Sequence, residues 1–414
     1  MLDNPRDMKM SVWTTVILCL VMADPSWAAG KEKILHHFSY SNGAYPEGGL
    51  TFDSAGNLYG TASGGGSHGN YGVVFRLVPG QNSVWREQVL HNFNGHNGAD
   101  PNAALILDGQ GNLYGTTASG GDLKACDGIG CGVVFELTPE TGPNWTERVL
   151  HIFRGKDGKL PNGLVFDSDG NLYGTTYAGG AYGNGCVFEL SPGANGQWTE
   201  SVLYSFGGED GSNPAAGLIF DAAGNLYGTT VSGGASGVGT VFQLAAGAGG
   251  VWTEAVLHSF GPMDGVSPYA GLAFDPDGNL FGTTSIGGVY GMGTVFELVP
   301  GGAGNWAEAA LYSFDRRDGD SPDANVTING IGNLYGTTVG SGGDSFGVVF
   351  QLMEGVGGTW TENVLHRFKG GIDGAEPYAG VILDAAGNLY GTAIAGGAST
   401  ECDGGCGIVY EITP

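Results

Sequence analysis

The sequence predicts an all-β fold: a seven-bladed β-propeller with four antiparallel strands per blade, in which an N-terminal strand completes the last blade. Three observations carry this expectation. A hexapeptide recurs seven times, as GNLYGT at Gly56, Gly111, Gly170, Gly224, Gly332 and Gly387 and as GNLFGT at Gly278, in steps of 55, 59, 54, 54, 54 and 55 residues. A near-constant period of this size marks one supersecondary unit repeated along the chain. Each period holds four short apolar runs bounded by Gly, Pro, Asn or Asp, the pattern of antiparallel strands joined by turns. The ends of the repeat region are also complementary. It opens on a lone fourth strand, Ile34 to Phe38, and closes on a third strand, Gly407 to Ile412, with no fourth after it. Joining the two closes the ring and removes the open edges that a solenoid, the alternative architecture, would expose.

The elements follow from the consensus W-T-E-x-V-L-H-x-F, D-G-x-x-P, A-G-L-x-F-D-x-x-G-N-L-Y-G-T-T, a glycine-rich stretch and G-x-V-F-E-L. In the unit around Gly224 the strands are expected at Leu218 to Phe220, Leu226 to Thr230, Thr240 to Leu244 and Trp252 to Phe260. Between the first two, Asp221 supplies a side-chain acceptor, and Gly224 and Asn225 tolerate positive φ, so the chain reverses there. The repeat region contains no amphipathic stretch of helix length.

The recurring F-D-x-x-G-N-L-Y-G-T-T with G-x-V-F-E-L resembles the GloVer tandem repeat of bacterial exported and surface proteins, over roughly residues 31 to 414. The resemblance implies export and a propeller-like repeat domain; it brings no catalytic residues with it. Members of that family carry varied C-terminal anchors. This sequence ends at Ile412, Thr413 and Pro414 without an apolar tail, so attachment to a membrane or wall is not expected.

Residues 1–28 read as a signal peptide and 29–414 as one propeller domain. Arg6 and Lys9 precede an apolar run from Val12 to Ala23, and Ser26-Trp27-Ala28 offers a small-residue cleavage site. The run is short for a membrane span, and Leu18 before Cys19 does not suit lipid attachment. Asp3 and Asp7 dilute the positive start, and initiation at Met8 would give a cleaner one. The expected location is secreted or periplasmic, with no membrane insertion once the signal is removed. Fifteen Lys and Arg against 41 Asp and Glu give a net charge of −26. Removing residues 1–28 takes away Arg6 and Lys9 against Asp3, Asp7 and Asp24, leaving −25. Such a charge excludes nucleic acid and anionic membranes as partners, and the chain reads as a monomer. The 81 glycines belong to turns and close-packed inner strands.

Cysteines single out particular blades. Cys126 and Cys131, and Cys402 and Cys406, form two tight pairs just before third strands; in an exported protein these are expected as local disulfides pinning glycine-rich loops. Zinc would need four ligands in one place, and the pairs lie in different blades. Cys186 stands where other repeats carry Val or Thr and reads as a buried free thiol. His36, His91, His151, His258 and His366 share one repeat position with Tyr204 and Tyr312, so they lie on different blades and cannot converge on one metal. The tryptophans Trp85, Trp145, Trp198, Trp252, Trp306 and Trp360 are periodic for the same reason and are expected to pack the blade exterior.

Two sets of acids repeat. Asp53, Asp108, Asp167, Asp221, Asp275 and Asp384, with Asn329 as the seventh, enter the D-x-x-G-N turn; Asp157, Asp210, Asp264, Asp318 and Asp373 begin the connection between blades. Turn formation accounts for both. The alternative is a carboxylate ring around the channel holding a cation, with calcium and its oxygen ligands as the type; no metal site or other cofactor is otherwise indicated. Catalytic motifs are absent: there is no G-x-S-x-G, no H-E-x-x-H and no phosphate loop with Lys.

Candidate ligand-binding residues are the aromatics that escape the repeat. Tyr45, Tyr269 and Tyr378 lie in the proline-containing connections; Tyr71, Tyr177, Tyr182, Tyr290 and Phe346 lie around the glycine-rich loops, with His68, Asn70, Arg316 and Arg317 beside them. Tyr269 and Tyr378 share the motif Pro-Tyr-Ala-Gly at a position where the other repeats carry Glu47, Asn102, Asn162, Ala215 and Asp323. Aromatics beside amides and carboxylates suit stacking against sugar rings. The expected function is therefore a secreted binding or scaffold module for polysaccharide or a surface protein. The rivals are a carbohydrate lyase or glycosidase using paired face carboxylates, and a structural surface protein without a small ligand.

Overall fold

The computed structural model describes residues 30–340 and 346–414; the signal segment expected at residues 1–28, Cys19 included, lies outside them. Seven four-stranded antiparallel sheets form the blades of a propeller. In blade five the strands run from the axis outward as Ala273–Phe274, Leu280–Thr284, Thr294–Pro300 and Trp306–Ser313. The described residues contain no helix long and apolar enough to cross a membrane.

Blade seven is assembled from both ends of the chain. Lys31–His37 pairs antiparallel with Ile408–Thr413, with a register shift between Ile34 and His36, and so supplies the missing outer strand. The seam repeats the contacts of every other blade boundary. At each boundary the Phe that follows the outer strand meets the third-strand aromatic of the next blade edge to face: Phe38 with Phe75 across the closure at 5.0 Å, Phe93 with Phe135 at 5.2 Å, Phe368 with Tyr410 at 5.1 Å. The first Thr of each GT pair donates its hydroxyl to a carbonyl of the following blade's inner segment, from Thr61 to Ala103 at 3.1 Å round to Thr392 to Gly48 at 3.4 Å. That bond gives the repeated Thr a structural role, and it completes the circle.

Two glycines show how closely the layers pack. A Cβ on Gly60 would lie 2.6 Å from Phe75 Cζ, so the Gly of LYGT admits the third-strand ring. Gly72, at φ +87°, faces Pro101 of the next blade, whose Cδ would be 2.5 Å from a Cβ there.

The tryptophans depart from the expectation of an exterior role. All six are half-buried; five stand edge-on to the LYGT tyrosine of the preceding blade, as Trp145 does to Tyr59 at 6.2 Å and Trp85 to Tyr390 at 6.3 Å, while Trp360 packs on the cluster that holds Phe281 of LFGT. The sequence places Trp on the outer strand, but its neighbour comes from another repeat. Blade three is the other departure. Its inner strand runs over Lys159–Phe166, whereas the inner strands of the other blades have two residues. One residue fewer separates Pro161 from Asp167 than separates the corresponding pair elsewhere, and the pairing continues through this connection with a register shift between Pro161 and Leu164.

The paired cysteines form Cys126–Cys131 and Cys402–Cys406 disulfides, and Cys186 is free and buried.

Candidate functional site

Antiparallel alternation puts the connections between blades and the loops between second and third strands on one face, and the D-x-x-G-N turns on the other. On the turn face, Asp53 Oδ1 accepts the N–H groups of Ala55 and Asn57, both at 2.9 Å. Its Oδ2 accepts Asn57 Nδ2 at 2.7 Å and the Tyr59 hydroxyl at 3.1 Å. These bonds draw its carboxyl below the ordinary range, against an opposing effect of burial. The same turn recurs at Asp167, Asp221 and Asp384, so these oxygens are committed to building turns.

On the connection face, the residue before each proline is held at positive φ in all seven blades: Tyr45 57°, Asp100 56°, Leu160 57°, Asn213 59°, Ser267 56°, Ser321 55° and Glu376 58°. A non-glycine residue there carries about 1–3 kcal/mol of strain, offset by bonds to two blades. The Tyr45 N–H donates to Cys406 of blade seven at 3.0 Å, while its carbonyl accepts from Ser63 of blade one at 3.0 Å; Ser267 does the same with Val238 and Ser285. The device sets the path of the chain, and the residue after the proline reaches the channel axis.

Those seven residues, Glu47, Asn102, Asn162, Ala215, Tyr269, Asp323 and Tyr378, all line a cavity of about 390 Å³ at the mouth of the channel. This is within the range of roughly 300–1,000 Å³ typical of small-molecule sites. Beneath them the wall is made of Gly49, Ala104, Gly163, Gly217, Gly271 and Gly380, with Asn325 as the one polar side chain at that level. The repeat makes the mouth nearly symmetric, and the rim residues break the symmetry. Blades one, seven, six and five contribute Glu47, Tyr378, Asp323 and Tyr269 in succession; blades two, three and four contribute Asn102, Asn162 and Ala215. Asn162 is partly committed, since its amide donates to Pro214 at 2.9 Å. Among the described residues the Tyr269 and Tyr378 hydroxyls make no hydrogen bond, and both rings are 41% exposed.

The arc is electrically distinct. Burial pushes the Asp323 carboxyl up to about 6, with Asp320 adding to the effect and a bond from Ser285 opposing it. Glu47 is raised by burial, and the Ser63 hydroxyl, 3.1 Å away, moderates the shift. Burial also raises the Tyr378 phenol, assisted by the charges of Asp323 and Glu47.

The structure divides the sequence candidates. Tyr269 and Tyr378 come together in the mouth. Tyr45, which precedes its proline, instead packs half-buried on the cluster holding Cys402 and Cys406. Tyr71, Tyr182 and Tyr290 stand exposed on the glycine-rich loops, outside the cavity lining, at 38%, 69% and 59%. Glu47 and Asp323 were missed as members of the site, although their variation at a fixed repeat position was the available signal.

Also missed is a set of glutamates between blades. Outer-strand His or Tyr side chains bond the acid or amide of their own connection, as His258 does Asp264 at 2.8 Å and His91 does Asn97 at 3.0 Å. The Glu of W-x-E in the next blade closes over them, with Glu32 of Gly30-Lys31-Glu32 in that place on the N-terminal strand. Glu32, Glu87, Glu147, Glu200, Glu254, Glu308 and Glu362 each bury an Oε1 without a partner. Burial raises all seven, to about 7 at Glu87, Glu147, Glu254 and Glu308 and about 8 at Glu32 and Glu362.

A family model described as the Gloeobacter/Verrucomicrobia repeat matches residues 24–146, 125–328 and 253–414. No curated protein matches the sequence. Among solved structures the chain is similar to the extracellular domain assigned to a hybrid two-component system of B. thetaiotaomicron, at 12% identity and TM-score 0.52. That match covers 94% of this chain and 41% of the other, so this chain spans about two fifths of its length. A chain in the structure of a mitotic checkpoint complex matches at 10% identity and TM-score 0.51, covering 99% of this chain and 98% of that one. At such identities the likeness is one of fold.

Proposed function

The chain belongs to the Gloeobacter/Verrucomicrobia repeat family, and for this member we propose a binding function: a secreted propeller module that holds a segment of polysaccharide at the mouth of its central channel. The observation that carries the reading is the arc of Glu47, Tyr378, Asp323 and Tyr269 around a cavity of about 390 Å³. Two exposed phenol rings with unbonded hydroxyls can stack on or bond to a sugar, and two flanking carboxyls can accept from its hydroxyl groups. An extracytoplasmic setting is supported by the apolar N-terminal run and by the two disulfides.

Catalysis by a carboxylate pair is less well supported. A glycosidase needs two carboxyls acting across one bond, and on the rim Glu47 of blade one and Asp323 of blade six have Tyr378 of blade seven between them. Screening the mature protein and its Tyr269→Ala/Tyr378→Ala variant on a glycan array tests the proposal. Retention of a neutral oligosaccharide by the native protein alone is the expected result. An array without hits, or hits shared equally by the variant, would refute binding at the mouth, and release of shortened products from a hit would return the enzyme reading.

A further inference from the structure

The seven blade boundaries are internal controls for one another, and one of them is built differently. At six boundaries the outer-strand His or Tyr reaches an acid or amide six residues later and bonds it, as His151 does Asp157 at 3.0 Å. In blade six the connection has one residue more, so the partner of His366 is Asp373, seven residues on, at the end of a short turn over Gly371–Asp373. The displaced carboxylate leaves His366 Nε2 3.5 Å from Asp373 Oδ2 and 3.7 Å from Glu32 Oε2, and this buried nitrogen has no hydrogen-bond partner. Glu32 comes from the N-terminal strand, and its Oε1 is likewise buried and unpartnered.

From this geometry we infer that the seam between blade six and the N-terminal strand is a site for one divalent transition-metal ion of the zinc type, bound by His366 Nε2, Asp373 Oδ2 and a Glu32 carboxylate oxygen. The three ligand atoms lie within 4.8 Å of one another. Zinc bonds of about 2.0–2.2 Å in a tetrahedron set neighbouring ligands about 3.3–3.6 Å apart, close to the two spacings here and longer than a hydrogen bond. One imidazole and two carboxylates suit zinc or cobalt; calcium would call for 6–8 oxygens. The Asp373 side chain is 21% exposed, so a water molecule would supply the fourth ligand. The cation also answers the local electrostatics, in which the Glu32 and Asp373 carboxyls oppose each other and the charge of exposed Lys369 only partly offsets them. A second His-Asp-Glu group, His258 with Asp264 and Glu308, differs in that its imidazole is already bonded to Asp264 at 2.8 Å. Because Glu32 lies on the closing strand, the ion would pin that strand to blade six and raise the melting temperature.

The test is titration of metal-stripped mature protein with Zn²⁺, with Co²⁺ as a spectroscopic probe. One saturable equivalent, a rise in melting temperature and the visible absorption of four-coordinate cobalt are expected. His366→Tyr and Asp373→Asn should each weaken binding at least tenfold. Both install residues that other blades carry at the same position, as Tyr204 and Asn97 show, so the fold should survive. His258→Tyr should leave binding unchanged. Failure to saturate at one equivalent, undiminished binding in His366→Tyr, or loss of binding in His258→Tyr would overturn the site.

Discussion

Replacing Phe38 by Ala tests whether the ring is closed. Phe38 is 1% exposed; it meets His36 at 4.7 Å within its own strand region and Phe75 at 5.0 Å across the closure. Its counterpart within the chain, Phe206, is fully buried and meets Phe242 at 5.0 Å. Truncating a buried Phe to Ala costs about 3–5 kcal/mol. In a closed ring the two sites are equivalent, so Phe38→Ala and Phe206→Ala should lose stability in that range and agree within about 1 kcal/mol. In an open array Phe38 would sit in a terminal unit with one neighbour and matter little. Guanidinium unfolding followed by the fluorescence of the interblade tryptophans measures both variants, with an unchanged m-value confirming that the same transition is observed. A loss below about 1 kcal/mol for Phe38→Ala beside a full loss for Phe206→Ala would refute closure by the N-terminal strand.

The interblade glutamates set a pH dependence. Their folded-state values, about 7 to 8 where a figure is fixed, exceed the ordinary 4.5. The folded protein therefore binds more protons than the unfolded chain, and stability falls as pH rises through that window. The lowered histidines act in the opposite sense, but only below their ordinary 6.5, so the melting temperature should drop between pH 6.5 and 8.5. Glu362→Gln should reduce the drop and Glu209→Gln, on the surface, should not; a melting temperature that rises over this interval would contradict the assignment. Peptide mapping should recover the Cys126–Cys131 and Cys402–Cys406 bridges, each adding little because it closes a short loop. Cys186, with its thiol pushed up to about 12 by burial, should label only after unfolding; rapid labelling of native protein would place it elsewhere.

The repeat made the blades legible. Period, turn chemistry and complementary ends determine strand order, closure and the cysteine pairing, all of which depend on residues within one repeat or at its ends. What escaped depends on residues one repeat apart. Trp145 finds Tyr59, and Glu147 closes over His91 and Asn97, only when neighbouring blades pack. The mouth was half legible. Tyr269 and Tyr378 stood out as aromatics after a proline, while Tyr45 looked similar but precedes its proline, where left-handed backbone carries it into the loop layer. Glu47 and Asp323 are ordinary acids in the sequence, and only the ring of blades turns them toward one cavity. The seam at His366 rests on a single extra residue in one connection, which a consensus averages away.

Calorimetric titration of a glycan-array hit tests binding at the channel mouth most directly, using native protein, Tyr269→Ala/Tyr378→Ala and the loop variant Tyr182→Ala/Tyr290→Ala. The mouth variant should lose about 1–3 kcal/mol of binding free energy, the scale of two modest aromatic contacts, with its melting temperature unchanged, and the loop variant should bind as the native protein does. Equal affinity of native protein and mouth variant, or a loss confined to the loop variant, would contradict the assignment of the ligand to the channel mouth.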